Sequence, residues 1–296
     1  MRYSLHPLLR DYAAALLEEA GEAPAARVAH TAHYLAYAWA HRQPTAADYD
    51  ALEAERLNLL AAMDRAYREE QWTQVRRFMW ALSVTSADSW GYLMVRGYWG
   101  EYRFRLEQAI RAAEAEGLQR DAAAFAGNLA ELMRKTGDLE AARREYQRVL
   151  AIFEDLGDSA NVATAYHQLG VLAQDTGEYD EARRLYRQSL DINEELGNRA
   201  GIAQTLGELG RLALKEGNQL EAEKLYRQAM TIQQEIGDVV NASIWMFNLA
   251  LLCEDQGRLD EALPLLEQAV AIDERVGLPD LEQDRRVLEQ VRGKLQ

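Results

Sequence analysis

Over more than half of this chain, the same residue types return at every fortieth position. Gly137, Gly177, Gly217 and Gly257 stand at that spacing, as do Ala142, Ala182, Ala222 and Ala262, and Gly157, Gly197, Gly237 and Gly277. Leu129, Leu169, Leu209 and Leu249 form another column, and Ala130, Gly170, Gly210 and Ala250 a column of small residues. Tyr146, Tyr186, Tyr226 and Leu266 supply large side chains at one position, and Ile152, Ile192, Ile232 and Ile272 an aliphatic one at another. Self-similarity at a fixed period of this length marks a stack of like units rather than a single wrapped core.

One unit, 159–198, shows what each column is for. Ala163, Tyr166, Leu169, Gly170 and Ala173 recur at three- and four-residue steps, so they share one helix face. Gly177 then ends the helix, because glycine takes the left-handed C-cap conformation at no steric cost. Tyr179, Ala182, Tyr186, Ser189 and Leu190 mark the facing stripe of a second, antiparallel helix. Small residues at Gly170 and Ala182 let the two helices approach closely, and Tyr186 fills the gap between successive pairs. One hairpin cannot bury its own apolar face, so the units must stack. The residue supply agrees: 48% of the 296 residues are hydrophobic, prolines number only 5, and Ala, Leu, Glu, Arg and Gln dominate. No alternating strand pattern is present, so the expected fold class is all-α.

These residues resemble the tetratricopeptide-repeat family in the longer form of its repeat. The motif stands here as Tyr166-x-x-Leu169-Gly170, then Gly177-x-Tyr179, then Ala182-x-x-x-Tyr186-x-x-Ser189, and four copies span 119–278. Gln219 replaces the aromatic of one second helix, with Leu220 beside it, and Met246 and Leu266 replace aromatics in the last copy. The resemblance implies a right-handed α-α superhelix, a solenoid of antiparallel helix pairs. Gly97, Trp99, Leu106, Ala109, Ile110 and Gly117 extend the columns backward, making 83–118 a degenerate repeat; Trp90 falls where a small residue is expected, so either the register slips by one, putting Gly91 there, or the hairpin is splayed. Residues 46–70 and 72–86 read as a further helix pair, within a region 23–82 that lacks clean motif residues. The segment 279–296 reads as a charged cap helix.

The head of the chain, residues 1–22, stands outside the repeat. Tyr3-Ser4-Leu5-His6-Pro7-Leu8-Leu9-Arg10-Asp11-Tyr12-Ala13 resembles the last strand and helix of the winged-helix module in STAND-type signalling ATPases, the NB-ARC class. Ala26–Leu35 and Leu52–Ala62 are similar to the bridging helices of that class. This resemblance implies a C-terminal sensor arm whose partner is a nucleotide-binding module of the same full-length protein. The segment itself contains no Gly-x-x-x-x-Gly-Lys-Ser/Thr phosphate loop, so it is not expected to bind nucleotide.

The net charge of −15 opposes binding to nucleic acid or to an anionic membrane surface. No apolar run approaches a bilayer span, and the first residues lack a signal-peptide core. With a single cysteine, Cys253, this points to a cytoplasmic protein, and the preference for arginine over lysine to a bacterial one. No catalytic constellation is visible, no cofactor is implied, and the acid pairs Glu18-Glu19 and Glu194-Glu195 read as solvated helix faces. His30, His33 and His41 are spaced along one helix, but no cysteine or carboxylate completes a metal set, so no metal is expected. Cys253 shares a column with Ala173 and Ala213 and reads as a small buried residue. Five of six tryptophans, Trp39, Trp72, Trp80, Trp90 and Trp99, lie in the first third, where with Tyr92, Tyr98, Tyr102 and Phe104 they either fill irregular gaps or line a pocket.

In the family that the repeats resemble, the first helix of each pair lines the concave surface. The candidate ligand-binding residues are therefore Asn128, Gln168, Glu208 and Asn248, their neighbours His167 and Phe247, the column Glu131, Val171, Arg211 and Leu251, and Lys135. Amide side chains donate to and accept from an extended peptide at once. Arg134 and Lys135 at one end and Glu254 and Asp255 at the other would orient a dipolar ligand. The expected partner is a peptide, protein or small ligand held in this groove. The competing readings are an ordinary hydrated helix face and, at the level of function, a free-standing adaptor.

Overall fold

The computed structural model describes residues 7–43, 45–83, 91–276 and 281–295. Among these, every regular element is an α-helix. The chain divides into two units, Met1–Leu118 and Gln119–Gln296.

In the second unit, α8 (Gln119–Lys135), α10 (Ser159–Asp175), α12 (Arg199–Lys215) and α14 (Val239–Asp255) are the first helices of the four pairs. Their partners are α9 (Leu139–Asp155), α11 (Tyr179–Glu195), α13 (Gln219–Glu235) and α15 (Leu259–Val276), and α16 (Leu281–Leu295) follows. From α8 to α14 the helices are of one length, and the same short connection joins each to the next, so a helix and its partner together make one sequence period. The connections are built from two adjacent residues. Gly177 has φ of 79°, its N–H donates to the Gln174 carbonyl and the Glu178 N–H to the Ala173 carbonyl, which together close a Schellman turn. The residue after the glycine then caps the next helix: Asp158, Asn198, Asn218 and Asp238 each accept from the backbone N–H three residues on.

A continuous apolar core runs from Ala130 to Val291 through every pair. Tyr146, Tyr186 and Tyr226 are almost wholly buried in it. A Cβ added at Gly170 would stand 2.7 Å from the Tyr186 ring, and one at Gly210 2.9 Å from Tyr226. The small-residue column is therefore the seat of the tyrosine column. Gly170→Leu is expected to lower stability by about 1–3 kcal/mol through overpacking; an unchanged melting temperature would show that this contact is absent. Leu220 does not replace the missing aromatic at Gln219: it is 82% exposed. Leu288 and Val291 dock α16 onto the last pair, so the cap is amphipathic as its sequence suggests.

The first unit contains α1 (Pro7–Glu19), α2 (Ala23–Ala40), α3 (Ala46–Ala54), α4 (Arg56–Arg68), α5 (Trp72–Leu82), α6 (Tyr92–Val95) and α7 (Trp99–Ala115). The helix expected over 46–70 is two helices, broken at Glu55, and α5 ends at Leu82, where Ser83 is extended. Trp90 lies outside the described residues, and Gly91 is the N-cap of α6, close to the end of α5 rather than to α7, a different contact from that of the small-residue column. A Cβ there would stand 2.3 Å from the Leu82 carbonyl oxygen, backbone that cannot move aside cheaply. Tyr3–His6 and Gly277 also lie outside the described residues.

Candidate functional site

Adjacent first helices in the second unit approach one another directly. Arg134 of α8 reaches Asp175 of α10, and Thr205 of α12 lies 3.4 Å from His167 Nδ1 of α10. On the opposite side, between α9 and α11, a cleft of about 350 Å³ opens over Leu150, Tyr166, Leu169 and Leu185. The first helices α8, α10 and α12 thus contact one another directly, whereas α9 and α11 are held apart by this cleft. The cleft was not foreseen from the sequence. Its rim groups satisfy each other: Arg184 with Glu181 and Gln188, Arg143 with Glu178, and the Tyr166 hydroxyl with Glu154.

The predicted groove residues divide by burial. Asn128, Glu131, Gln168, Val171, Arg211, Phe247, Asn248 and Leu251 are half-buried on the first helices, Lys135 is exposed, and His167 and Glu208 are buried. His167 is thus part of the floor rather than a contact in open solvent. Its ring lies 5.6 Å from that of Tyr186, and burial together with Arg211 and Arg134 pushes its pKa down to about 4, so it is neutral near pH 7. Glu208 pairs with Arg211 at 3.2 Å.

The charge gradient is largely spent within the protein. Arg134 is held by both carboxylate oxygens of Glu131 at 2.7 Å and by Asp175. Those partners keep its guanidinium charged despite burial. At the other end Glu254 receives Lys294 of α16 at 2.7 Å. The groove therefore presents paired ions, amides and apolar side chains, and its net steering charge is smaller than the sequence suggests.

The floor is graded by volume. Positions 125, 165, 205 and 245 are Phe, Ala, Thr and Trp, and positions 127, 167, 207 and 247 are Gly, His, Gly and Phe. Between α10 and α12 the His167–Thr205 contact fills the gap. Between α12 and α14 the Trp245 indole lies over Gly207 and stacks on Tyr226, ring centroids 6.1 Å apart. Between α8 and α10 both positions are small, and a Cβ at Gly127 would meet only Val149, at 4.0 Å.

In the first unit, described aromatic residues make several separate contacts. Tyr92 and Tyr98 donate to Glu53 at 2.5 and 2.9 Å, and Arg56 lies over the Tyr98 ring. Tyr102 is buried, whereas Trp99 and Phe104 are about half exposed. The His30 ring lies 4.8 Å from that of Tyr34, tilted against it, and His41 contacts Asp48 at 3.0 Å. Among the described residues no group of three His, Cys, Asp or Glu side chains is placed to hold a metal ion, and no helix is long and apolar enough to cross a membrane. Cys253 is buried, as its column predicts.

Comparison with known proteins matches the tetratricopeptide-repeat family model at residues 121–195 and 201–275, just over half of the chain. No curated protein sequence matches. Among solved structures, the quorum sensor NprR from B. thuringiensis in its apo form superposes with a TM-score of 0.61 at 17% identity, over 89% of this chain and 70% of that one. NprR in complex with its cognate peptide NprX gives 0.59 at 17% identity, over 88% and 71%. BtubC (BKLC) from P. vanneervenii gives 0.57 at 22% identity, over 67% and 82%. These likenesses concern the fold, and no enzyme family is indicated.

Proposed function

Because the chain belongs to the tetratricopeptide-repeat family, we propose that it is a non-catalytic recognition domain that holds a peptide segment of a partner along the inner face of α8, α10, α12 and α14. One observation carries this reading. The buried columns repeat because every pair solves the same packing problem, whereas the column Glu131, Val171, Arg211 and Leu251 changes chemistry at each step while staying half-buried. A face kept only for solubility would carry charge throughout; Val171, Phe247 and Leu251 instead place apolar groups between the amides Asn128, Gln168 and Asn248. That mixture suits an extended or amphipathic peptide. The peptide-bound form of NprR offers a parallel on a similar fold.

The setting we favour is the sensor arm of a STAND-type ATPase, with a nucleotide-binding module elsewhere in the full-length protein. The head phrase from Tyr3 to Ala13 supports it, and so does α1, which leaves Tyr12 and Leu16 exposed one turn apart. A neighbouring module would cover that apolar stripe. The alternative, a free-standing adaptor, gives no role to this head; a reading frame upstream of Met1 that lacks a nucleotide-binding module would favour the adaptor.

The groove is tested with Asn128, Arg211 and Asn248 replaced together by Ala. Helicity and melting are expected to stay unchanged, and affinity for pooled, fluorescently labelled heptapeptides to fall at least tenfold. Full-strength binding by the triple variant would move the site elsewhere.

A further inference from the structure

The second unit has two edges, one where each first helix turns into its partner and one where each second helix turns into the next pair. Both are built from the same turn. At the first edge the Gly177 N–H donates to the Gln174 carbonyl and the Glu178 N–H to the Ala173 carbonyl; at the second the Gly157 N–H donates to the Glu154 carbonyl and the Asp158 N–H to the Phe153 carbonyl. The residue just before the glycine differs. At the first edge it is Thr136, Thr176, Glu216 and Gln256. At the second it is Leu156, Leu196 and Ile236. These three are 42%, 49% and 39% exposed. The turn does not ask for them, since it closes as well over threonine, glutamate or glutamine. The apolar contact that accompanies such a turn belongs to the residue after the glycine, which here is Asp158, Asn198 and Asp238. A lone exposed aliphatic needs no explanation, but one at each of these turns and none at the same position of the other edge does.

The row is set among carboxylates. Glu154 and Asp155 precede Leu156, Glu194 and Glu195 precede Leu196, and Glu235 precedes Ile236. Asp155, Glu194 and Glu195 are exposed and take no ion pair among the described residues. The cations at the starts of α8 and α12 are already used: Arg120 pairs with Asp158 at 2.7 Å, and Arg199 pairs with Glu235. The second of these pairs runs from the Leu196 turn to the Ile236 turn, so successive turns are neighbours and their aliphatics form a line. Helices in side-chain contact lie about 8–10 Å apart. A helix laid along the line would return the same face every seven residues, about 10.5 Å along its axis. The two spacings match.

We propose that this edge is a second interaction surface, separate from the groove, which takes a basic amphipathic helix of a partner protein. Apolar side chains at heptad spacing on that helix pack on Leu156, Leu196 and Ile236, and its flanking Lys or Arg side chains pair with Asp155, Glu194 and Glu195. A second copy of this chain is the poorer occupant, because its matching edge would bring carboxylates against carboxylates.

Two measurements on the full chain test this. The first replaces Leu156, Leu196 and Ile236 together by Thr, the residue that the chain itself uses at Thr136 and Thr176. The melting temperature is expected to stay unchanged; a large drop would mean that the three aliphatics are packing residues and would overturn the proposal. The second measures binding of a labelled, helix-forming 21-residue peptide with Leu at every seventh position, Lys beside each Leu and Ala elsewhere. It is expected to bind at least tenfold tighter than the same peptide with Glu for Lys, and tenfold tighter than the one with Gln for Leu, and to weaken as salt is raised. The Thr variant should lose that affinity, while the variant with Asn128, Arg211 and Asn248 replaced by Ala should keep it. Equal binding to the Thr variant would reduce the effect to general attraction between a cation and an acidic protein, and loss in the Ala variant alone would place the peptide in the groove; either result, or no binding at all, overturns the edge surface and leaves the groove reading standing.

Discussion

Acidification from pH 7 to pH 5 is expected to remove about 2 kcal/mol of stability through His167 alone. The ring is 6% exposed, and its folded pKa of about 4 lies below the ordinary histidine value of 6.5, chiefly because burial penalises the charged form. Arg211 of α12 and Arg134 of α8 add repulsion, while Tyr186 and Thr205 offer a ring contact and one long hydrogen bond but no negative charge. The folded state therefore resists a proton that the unfolded chain accepts. The contribution is fully present above pH 6.5, shrinks as the pH falls, and reaches a loss of about 3 kcal/mol below pH 4. Carboxylates also titrate over this range, so the informative quantity is the difference from His167→Gln, which keeps a polar side chain without a titrating one. Hydrogen exchange of α10 and α12 amides in the two proteins should give stabilities whose difference shifts by about 2 kcal/mol between pH 7 and 5. Parallel pH profiles would mean that His167 is not buried as described.

The repeated half of this molecule was legible because its columns are physical necessities. A glycine at positive φ ends each helix, a small residue seats each tyrosine, and those demands return with every helix pair. The Asp or Asn after the glycine is a capping residue and completes the connection. The earlier region was less legible because its helices differ in length and packing, so no column carries over; the break at Glu55 has no glycine or proline to announce it. In the groove, the residues were readable but their commitments were not. Arg134 and Asp175 are 41 residues apart, and only the approach of α8 to α10 shows that they neutralise each other. His167 reads as a groove contact in the sequence, and only the fold shows Tyr186 and Thr205 enclosing it. The unpaired Tyr186 hydroxyl also went unread, although Val171 sits in the column where Glu131 serves Tyr146.

Replacing Trp245 with Ala is expected to cost about 3–5 kcal/mol, the usual range for deleting a buried aromatic. The indole is 5% exposed and lies between the Tyr226 ring and the backbone of Gly207, so its loss opens a void between α12 and α14. In a stacked array this weakens one interface, and α14 to α16 should become more mobile together. The same geometry predicts an opposite response at Gly207. A Cβ there would stand 2.3 Å from the indole ring, and a rigid ring boxed in by Tyr226 has little room to retreat. Gly207→Ala alone therefore sets an overpacking cost of about 1–3 kcal/mol against a helix-propensity gain of about 1 kcal/mol. In the Trp245→Ala background the clash is gone and the propensity gain remains, so the same substitution should stabilise. The double-mutant cycle should show a coupling of about 2 kcal/mol, read as the shift in urea midpoint of the transition that carries α12–α16. Additive single effects would mean that Trp245 does not lie on Gly207, and that the floor of this gap is open to ligand rather than filled by the protein's own indole.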